Sequence, residues 1–497
     1  MATTVDTDLG RLVSEESGQN IYLCYQCKKC TCGCPLADQF DLTPAQLVRA
    51  LQFGQVDKVL HSRTMWLCAY CETCFTRCPV ELDIPRLMDT LKGIATKRGI
   101  KPPDPIFTAF NEAALAWIER AGRIHDAGLI AEVNLRLGRP FRDARVGLEL
   151  LRRGKIRPVP EWPGQPRDLP KPAPKHGNPK RVGYFPGCTL HSSGREYDES
   201  TRAVAKHVGI ELVELTGWVC CGSGVAHQVS RELATALPLK NLALAEAAGE
   251  DEITLPCAAC YSRFRKAAHH VELDPPLRAH IALKLGYEFK GGVKISSILD
   301  TFVERVGLDA IEARVTRPLK GLKTVCYYGC LYSRPVQVTG TADAEYPMSM
   351  DRIVKRLGAE TLDWSYKTEC CGASLMLTQT DRVLPLAERI LANAKAVGAG
   401  AIVVACSSCH LNLDLRRQGI AERLGTRYDI PIIYFTQLMG LAFGLPPEEL
   451  GLPKHLTNVN DLRWRSNTGG ELRVPLLVAG LLAGSAVAMK CKRWRRF

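Results

Sequence analysis

Cysteines in this chain follow a repeated spacing that is typical of iron–sulfur ligands. Eighteen of the 21 cysteines fall into two tandem pairs of motifs. In the first pair, three cysteines two residues apart are followed by a fourth before a proline, at Cys24, Cys27, Cys30, Cys34 and at Cys68, Cys71, Cys74, Cys78. Where two such motifs occur together, the fourth cysteine of each binds the other cluster. This rule predicts one cubane [4Fe–4S] cluster on Cys24, Cys27, Cys30 and Cys78, and a second on Cys68, Cys71, Cys74 and Cys34.

Zinc is the alternative ligand for this first pair of motifs. A structural zinc site uses two Cys-x2-Cys pairs and has no use for the third cysteine or for the Cys-Pro step. The spacing therefore favours clusters. Cys32 lies inside the first motif but outside the ligand pattern, and we expect it to be a spare thiol.

The second pair of motifs is a longer internal repeat. Each copy has a single cysteine, a Cys-Cys-Gly doublet and a Cys-x2-Cys pair, at Cys188, Cys220, Cys221, Cys257, Cys260 and at Cys330, Cys370, Cys371, Cys406, Cys409. Adjacent cysteines can bridge two irons more readily than they can bind one zinc ion. A vicinal disulfide, or a zinc site on the Cys-x2-Cys pairs, remains the alternative, although either would have to occur twice in register. We expect Cys326 to be a buried or accessory thiol and not a ligand, and we assign no role to Cys491.

Short strands and helices must position these cysteines. In each repeat, β-like runs such as RVGYF, TVCYY and AIVVA end near a cysteine and alternate with helical stretches at 231–248 and 383–397. Cysteines at strand ends meet at one edge of a small α/β unit, which suits a shared ligand site. Residues 42–61 and about 105–153 have helical spacing. The predicted fold class is α+β multidomain, with a mainly helical two-[4Fe–4S] domain followed by two pseudo-symmetric α/β domains.

Domain boundaries follow from composition. The best boundary is residues 155–180, where eight prolines and no apolar period predict an extended linker. The predicted division is 1–100 (two-cluster domain), 101–154 (helical extension), 155–180 (linker), 181–320 and 321–445 (the two repeats), 446–473 (linker) and 474–497 (tail).

Composition and charge narrow the setting of the protein. The first 20 residues have no apolar signal-peptide core, and dense cysteines in a long chain indicate metal rather than disulfides, so we expect a cytoplasmic protein. The formal net charge is +13. No nucleic-acid motif accompanies it, and we expect no nucleic acid as partner. The chain also has no GxGxxG fingerprint and no P-loop, which predicts neither NAD nor flavin in this chain.

The C-terminal tail combines an apolar run with a basic end. Residues 474–489 carry no charge and precede KCKRWRRF. As a helix this run would be about 24 Å long, short of the roughly 30 Å hydrocarbon core. We expect a peripheral anchor on the inner face of the cell membrane, or a helix that docks on a membrane subunit. A buried terminal helix is the alternative.

These motifs together resemble the heterodisulfide reductase family. The runs CYQCKKCTCGCP and WLCAYCETCFTRCP resemble its C subunit, and the two C…CCG…CxxC repeats resemble its B subunit. Their order and fusion are similar to the D subunit and to fused bacterial proteins, over roughly residues 20–440. The resemblance implies a non-cubane [4Fe–4S] cluster on the five cysteines of each repeat, with a disulfide or thiol substrate between the two clusters. Those ten cysteines would be catalytic and the first eight would conduct electrons.

Other residues near the motifs are candidates for supporting roles. His191, His227 and His410 are candidate proton donors to the departing thiolates. A second set of candidates would attract an anionic thiol substrate: Arg263, Arg265 and Lys266.

The electron partner lies outside this chain. We expect a flavoprotein, or a membrane cytochrome or quinone-reducing subunit. The alternative function is an electron-transfer subunit of a membrane-associated glycolate, lactate or glycerol-3-phosphate oxidase, which also pairs a two-cluster ferredoxin with such repeats and passes electrons to quinone.

Overall fold

The N-terminal region of the protein is helical. A computed structural model describes residues 7–142, 144–157, 159–160, 173–459, 462–465 and 471–474. Helices α1–α7 span Thr7–Ser17, Lys29–Cys32, Pro44–Gln52, Val56–Leu60, Thr64–Leu67, Thr73–Thr76 and Ile84–Lys97. The helical stretch predicted at 42–61 is two helices, because Gly54 between them has a φ of 62° that an α-helix does not accommodate.

A helical extension follows. Helices α8–α10 span Pro105–Ala121, Asp126–Arg136 and Ala144–Arg152. Asp104 begins α8 by accepting a hydrogen bond from the Ile106 amide at 3.0 Å, and Pro105 occupies the first turn, where no amide donor is needed. The extension packs on the first repeat, in a core that includes Val219 and Val225.

Each repeat contains a four-stranded parallel sheet. The first has β1–β4 at Arg181–Tyr184, Glu211–Glu214, Glu252–Leu255 and Lys294–Ser297, in the order β2-β1-β3-β4. The second has β5–β8 at Lys323–Tyr327, Glu360–Thr361, Ala401–Val404 and Ile432–Tyr434, in the order β6-β5-β7-β8. The identical strand order confirms the predicted α+β fold class with two pseudo-symmetric α/β units.

Helices cover both sheets. In the first repeat, α11–α18 span Gly187–Leu190, Arg195–Val208, Ala226–Val229, Arg231–Ala247, Ala258–Leu273, Pro275–Leu285, Ile298–Thr301 and Leu308–Glu312. In the second, α19–α24 span Val336–Thr339, Ser349–Arg356, Thr380–Ala396, Ser407–Leu415, Arg417–Leu424 and Phe435–Phe443.

Two predicted segments fall partly or largely outside the described residues. These are half of the Pro-rich linker 155–180 and all but the first residue of the apolar run 474–489. Residues 446–473 are more than the linker that the sequence predicts, because they contain the antiparallel strands β9 and β10, at Arg463–Arg465 and Glu471–Arg473. In the described ranges, no helix combines the length and apolar character that crossing a membrane requires.

Buried polar contacts join the N-terminal region to both repeats. Arg334 of the second repeat is 1% exposed and donates to the Thr73 hydroxyl at 2.9 Å. Lys266 of the first repeat pairs with Glu72, which is almost fully buried. Because an unpaired buried charge is costly, such pairs fix how the three units meet.

A fully buried ion pair holds the end of the extension against the first repeat, and it gives a testable prediction for stability. Lys155 and Glu196 are both inaccessible to solvent. Lys155→Met leaves the Glu196 carboxylate buried and unpaired, and we expect a loss of about 3–5 kcal/mol in the first unfolding transition.

Chemical denaturation followed by circular dichroism measures this loss. The double variant Lys155→Met/Glu196→Gln should recover most of it. The control is Lys454→Met, whose partner Glu199 lies 2.6 Å away in a partly exposed pair, for which we expect about 1 kcal/mol or less. Equal losses for the two lysine variants would contradict this account.

Candidate iron–sulfur centres

Strained backbone shapes the two N-terminal cysteine motifs in the same way. Gln26 and Lys28 of the first motif have φ angles of 61° and 64°, and Tyr70 and Glu72 at the matching positions have 54° and 61°. Non-glycine residues rarely adopt positive φ, and such strain persists where the surroundings impose it, commonly at functional sites. Its recurrence in register indicates two loops that fold alike around their cysteines.

The structure brings the eight N-terminal cysteines together as two groups of four. One pocket is lined by the first sulfur set, Cys24, Cys27, Cys30 and Cys78. Another is lined by the second sulfur set, Cys34, Cys68, Cys71 and Cys74. These groups match the sets that the sequence predicts, in which each fourth cysteine crosses to the other motif. Burial raises the pKa of Cys30 to about 11 and that of Cys34 to about 12.

All ten cysteines of the repeats line one cavity of about 250 Å³. The third sulfur set is Cys188, Cys220, Cys221, Cys257 and Cys260, and the fourth is Cys330, Cys370, Cys371, Cys406 and Cys409. Within the third set the Sγ atoms of Cys221 and Cys260 are 3.2 Å apart. The equivalent Cys371–Cys409 distance in the fourth set is 3.7 Å.

Equivalent strands and helices place these thiols. Cys257 and Cys406 follow the buried strands β3 and β7 and cap the helices α15 and α22, so that Cys260 and Cys409 lie in the first helical turns. Neighbouring cysteines, which are hydrogen-bonded to them, raise the pKa of Cys260 and that of Cys409 well above the usual value. A glycine stands close to each sulfur in the first turn: a Cβ on Gly329 would lie 2.8 Å from the Cys409 Sγ.

Thiols of different sets also touch each other. A hydrogen bond with Cys370 of the fourth set lowers the pKa of Cys71 of the second set to about 6. The pKa of Cys257 in the third set is lowered by hydrogen bonds with Cys260 and with Cys406 of the fourth set. Cys68 of the second set also lines the cavity of the repeats. The second, fourth and third sets therefore adjoin in this order, and we call them the row of sulfur atoms.

Of the three candidate histidines, only His227 lines the cavity. Its Nδ1 lies 3.0 Å from both carboxylate oxygens of Asp89, and burial lowers its pKa to about 4. His191 pairs with Glu214 at 3.0 Å outside the cavity. His410 is buried near His455 and away from the cavity lining, so the structure does not bring it to the thiols.

The candidate basic residues also separate into two kinds. The Arg265 Nε donates to the Val338 carbonyl at 2.8 Å, and Lys266 pairs with Glu72. Arg263 lines the cavity, and its buried Nε has no hydrogen-bond partner among the described residues.

Sequence reasoning missed a row of polar residues beside the cavity. The Lys92 Nζ donates to the Tyr70 hydroxyl, which donates to Asp89, each at 2.5 Å, and Asp89 contacts His227. The sequence offers a single indication of this row, namely that Tyr70 lies between the predicted ligands Cys68 and Cys71. Of the spare thiols, Cys32 is exposed, Cys326 is buried in β5, and Cys491 lies outside the described residues.

Comparisons with known proteins agree with this division of the chain. The family described as a 4Fe-4S dicluster domain matches residues 23–83, and the family described as CCG, a cysteine-rich domain, matches 182–265 and 324–414. The B subunit of a ferredoxin/F420H2-dependent CoB-CoM heterodisulfide reductase from Methanosarcina acetivorans is 30% identical over 281 residues, which are 55% of this chain and 93% of that protein.

Two further relatives extend the comparison. The membrane anchor subunit of 8-methylmenaquinol:fumarate reductase from Wolinella succinogenes is 29% identical over 57% of this chain and 99% of its own length. The iron–sulfur C subunit of the CoB–CoM heterodisulfide reductase from Methanopyrus kandleri is 35% identical over 85 residues, which are 17% of this chain and 44% of that relative.

The chain belongs to the heterodisulfide reductase family. It joins a C-subunit-like region and a B-subunit-like region in one polypeptide, and it is an iron–sulfur oxidoreductase subunit. The sulfur sets fit this assignment, because four clustered thiols around each small pocket are the donors that a [4Fe–4S] cluster takes.

The glycine beside Cys409 gives a prediction for cluster content. Gly329→Ala places a methyl group against the Cys409 Sγ, and we expect the purified variant to lose about one cluster's iron, roughly four atoms per chain. Gly398→Ala is the matched control, because its φ of 76° is similar to the 72° of Gly329 but no atom lies within 4 Å of the added methyl group. Iron and sulfide assays measure the result, and equal iron in both variants would refute the contact.

Proposed function

We propose that this chain is the catalytic-type subunit of a heterodisulfide-reductase-like complex. It cleaves or forms a disulfide, or a sulfur-carrier thiol, in the cavity between the third and fourth sulfur sets. The observation that carries the proposal is that all ten cysteines of the two sets line one cavity. The similarity to B subunits over both repeats supports it.

Each sulfur set would hold one cluster. The first and second sets suit cubane [4Fe–4S] clusters, and the third and fourth suit further clusters of the non-cubane kind that five cysteines imply. When bound, each cluster supplies one electron at a time. Cleaving one disulfide into two thiols consumes two electrons and two protons, which accounts for two one-electron sites on either side of the substrate.

The chain's own residues would shield and protonate the substrate. Apolar side chains on the cavity wall, among them Trp66, Phe107 and Leu129, keep water from the sulfur atoms. His227 is neutral near pH 7 because its pKa is about 4, so it would relay protons rather than store them. The hydrogen-bonded row from Lys92 through Tyr70 and Asp89 would supply protons to His227.

Electrons would come from, or go to, a partner in the same complex. A flavoprotein, or a membrane cytochrome or quinone-reducing subunit, fits this role. The tail 474–497 would hold the complex to the inner face of the cell membrane. The description of the Wolinella succinogenes relative as a membrane anchor subunit supports a membrane-side partner.

The central test is disulfide turnover by the isolated holoprotein. With reduced viologen as donor, we expect thiol release from a low-molecular-weight disulfide. Cys371→Ser should abolish this release, because it removes a thiol from the fourth set, while the EPR signals of the cubane clusters remain. Cys32→Ser, at an exposed thiol outside the sets, should behave as wild type.

One outcome would favour the alternative function. If the wild-type clusters are reduced but pass electrons only to a quinone analogue, with no thiol released, the chain conducts electrons and does not cleave disulfides. It would then resemble the electron-transfer subunits of hydroxy-acid oxidases.

The cavity-lining guanidinium of Arg263 predicts a preference for anionic substrates. The probes are the disulfide of 3-mercaptopropionate and that of its uncharged amide. For Arg263→Gln we expect kcat/KM to fall about 10- to 100-fold with the carboxylate, since a charged hydrogen bond is worth about 1.5–3 kcal/mol, and less than about threefold with the amide. Arg265→Gln should leave the ratio of the two kcat/KM values, carboxylate over amide, unchanged, because Arg265 binds the Val338 carbonyl. An equal loss of kcat/KM with both probes would contradict the proposal that Arg263 binds the negative charge of the substrate.

A further inference from the structure

Four large hydrophobic side chains lie exposed beside the first sulfur set. Tyr22, Leu23, Tyr25 and Phe53 expose 57%, 55%, 62% and 52% of their surfaces, and we call them the aromatic patch. They belong to one surface, because the Gln52 side chain donates to the carbonyls of Ile21 and Cys24, at 2.9 and 3.1 Å. An exposed apolar cluster of this kind marks an interaction site more often than scattered single residues do.

The aromatic patch adjoins the outermost of the four sulfur sets. Cys27 is exposed and Cys24 is half-buried, whereas the cysteines of the third and fourth sets are buried apart from the half-buried Cys188 and Cys330. The second set is the one beside the repeats, because its Cys68 lines the cavity that holds their ten cysteines. The first set adjoins the second, since Cys30 and Cys34 are four residues apart in the chain. An electron that reaches the repeats through the N-terminal region would therefore enter at the first set.

Positive charge surrounds the aromatic patch. Lys28, Lys29 and Arg49 are exposed, and within the described ranges none of the three lies within ion-pair distance of a carboxylate. The Arg49 guanidinium lies 4.2 Å above the Phe53 ring. Of the acids in this part of the chain, Asp41 binds Ser62, Arg63 and Thr64, Asp38 faces Arg389, and Asp57 is exposed. An apolar centre with a cationic rim complements an acidic protein surface.

We propose that the aromatic patch and its cationic rim are the docking surface for an acidic redox protein, which exchanges electrons with the cluster of the first set. The inference rests on the proposed function, since it assigns the point at which that function meets its electron partner. The apolar residues bury against the partner, while Lys28, Lys29 and Arg49 set its orientation and raise the rate of encounter.

The experiment compares two electron donors of different size and charge. An acidic plant-type [2Fe–2S] ferredoxin must dock to donate its electron, whereas methyl viologen radical reduces the clusters without docking at the aromatic patch. Stopped-flow absorbance follows reduction of the full-length holoprotein. For Arg49→Glu/Phe53→Ser we expect the second-order rate with ferredoxin to fall at least about tenfold and to lose its dependence on salt. The rate with viologen should be unchanged.

A matched control separates docking from the mere change in charge and apolar surface. Lys320→Glu/Leu283→Ser makes the same changes at exposed positions of the repeats. Equal ferredoxin rates in the two double variants would overturn the proposal, and so would a parallel loss with viologen, which would point to damage at the first cluster. Failure of the proposed function has a different signature, namely rapid reduction by ferredoxin with no thiol released from a disulfide.

Discussion

Contact between sulfur atoms across unit boundaries is the constraint on which this structure depends. Two pairs of neighbouring thiols lie at the boundaries between the three units: Cys71 with Cys370, and Cys257 with Cys406. Neither contact survives a shift of a few ångströms between the units. The buried polar pairs at the boundaries meet this requirement, because Lys266 with Glu72 and Arg334 with Thr73 hold residues next to the second sulfur set. The packing of the units thus serves the continuity of the sulfur row.

The same constraint explains where the chain tolerates unfavourable features. Four of the five positive-φ residues other than glycine in the described chain stand in the two N-terminal motifs. Burial raises the pKa of Glu72 to about 7, against the attraction of Lys266. Strain and buried charge of this kind persist only where neighbouring structure enforces them. Here the neighbours are the repeats, so the N-terminal motifs and the repeats support each other's geometry.

The sequence predicts local chemistry well and contacts between units poorly. For the eight N-terminal cysteines, the grouping predicted from spacing agrees with the two pockets that they line, because short loops hold each motif. The contact of Cys71 with Cys370 joins residues 299 positions apart, and no spacing rule links them. Lys155 gives a similar lesson: it begins a Pro-rich, basic stretch that predicts exposure, yet it is buried against Glu196. No sequence motif identifies Asp89 and Lys92, which lie on α7. Packing alone places them beside the cavity.

Pseudo-symmetry between the repeats is broken at the doublets, and this sets the order in which the sulfur sets adjoin. Cys370 packs against the N-terminal region, where Cys71 reaches it. The equivalent Cys220 packs instead in the core formed by α8 and α9, and its amide donates to the Gly122 carbonyl at 2.8 Å. The extension thus takes, in the first repeat, the place that a cysteine motif takes in the second. It packs apolar side chains beside the third set, which is therefore the end of the row, and the cavity is lined by both the third and the fourth sets.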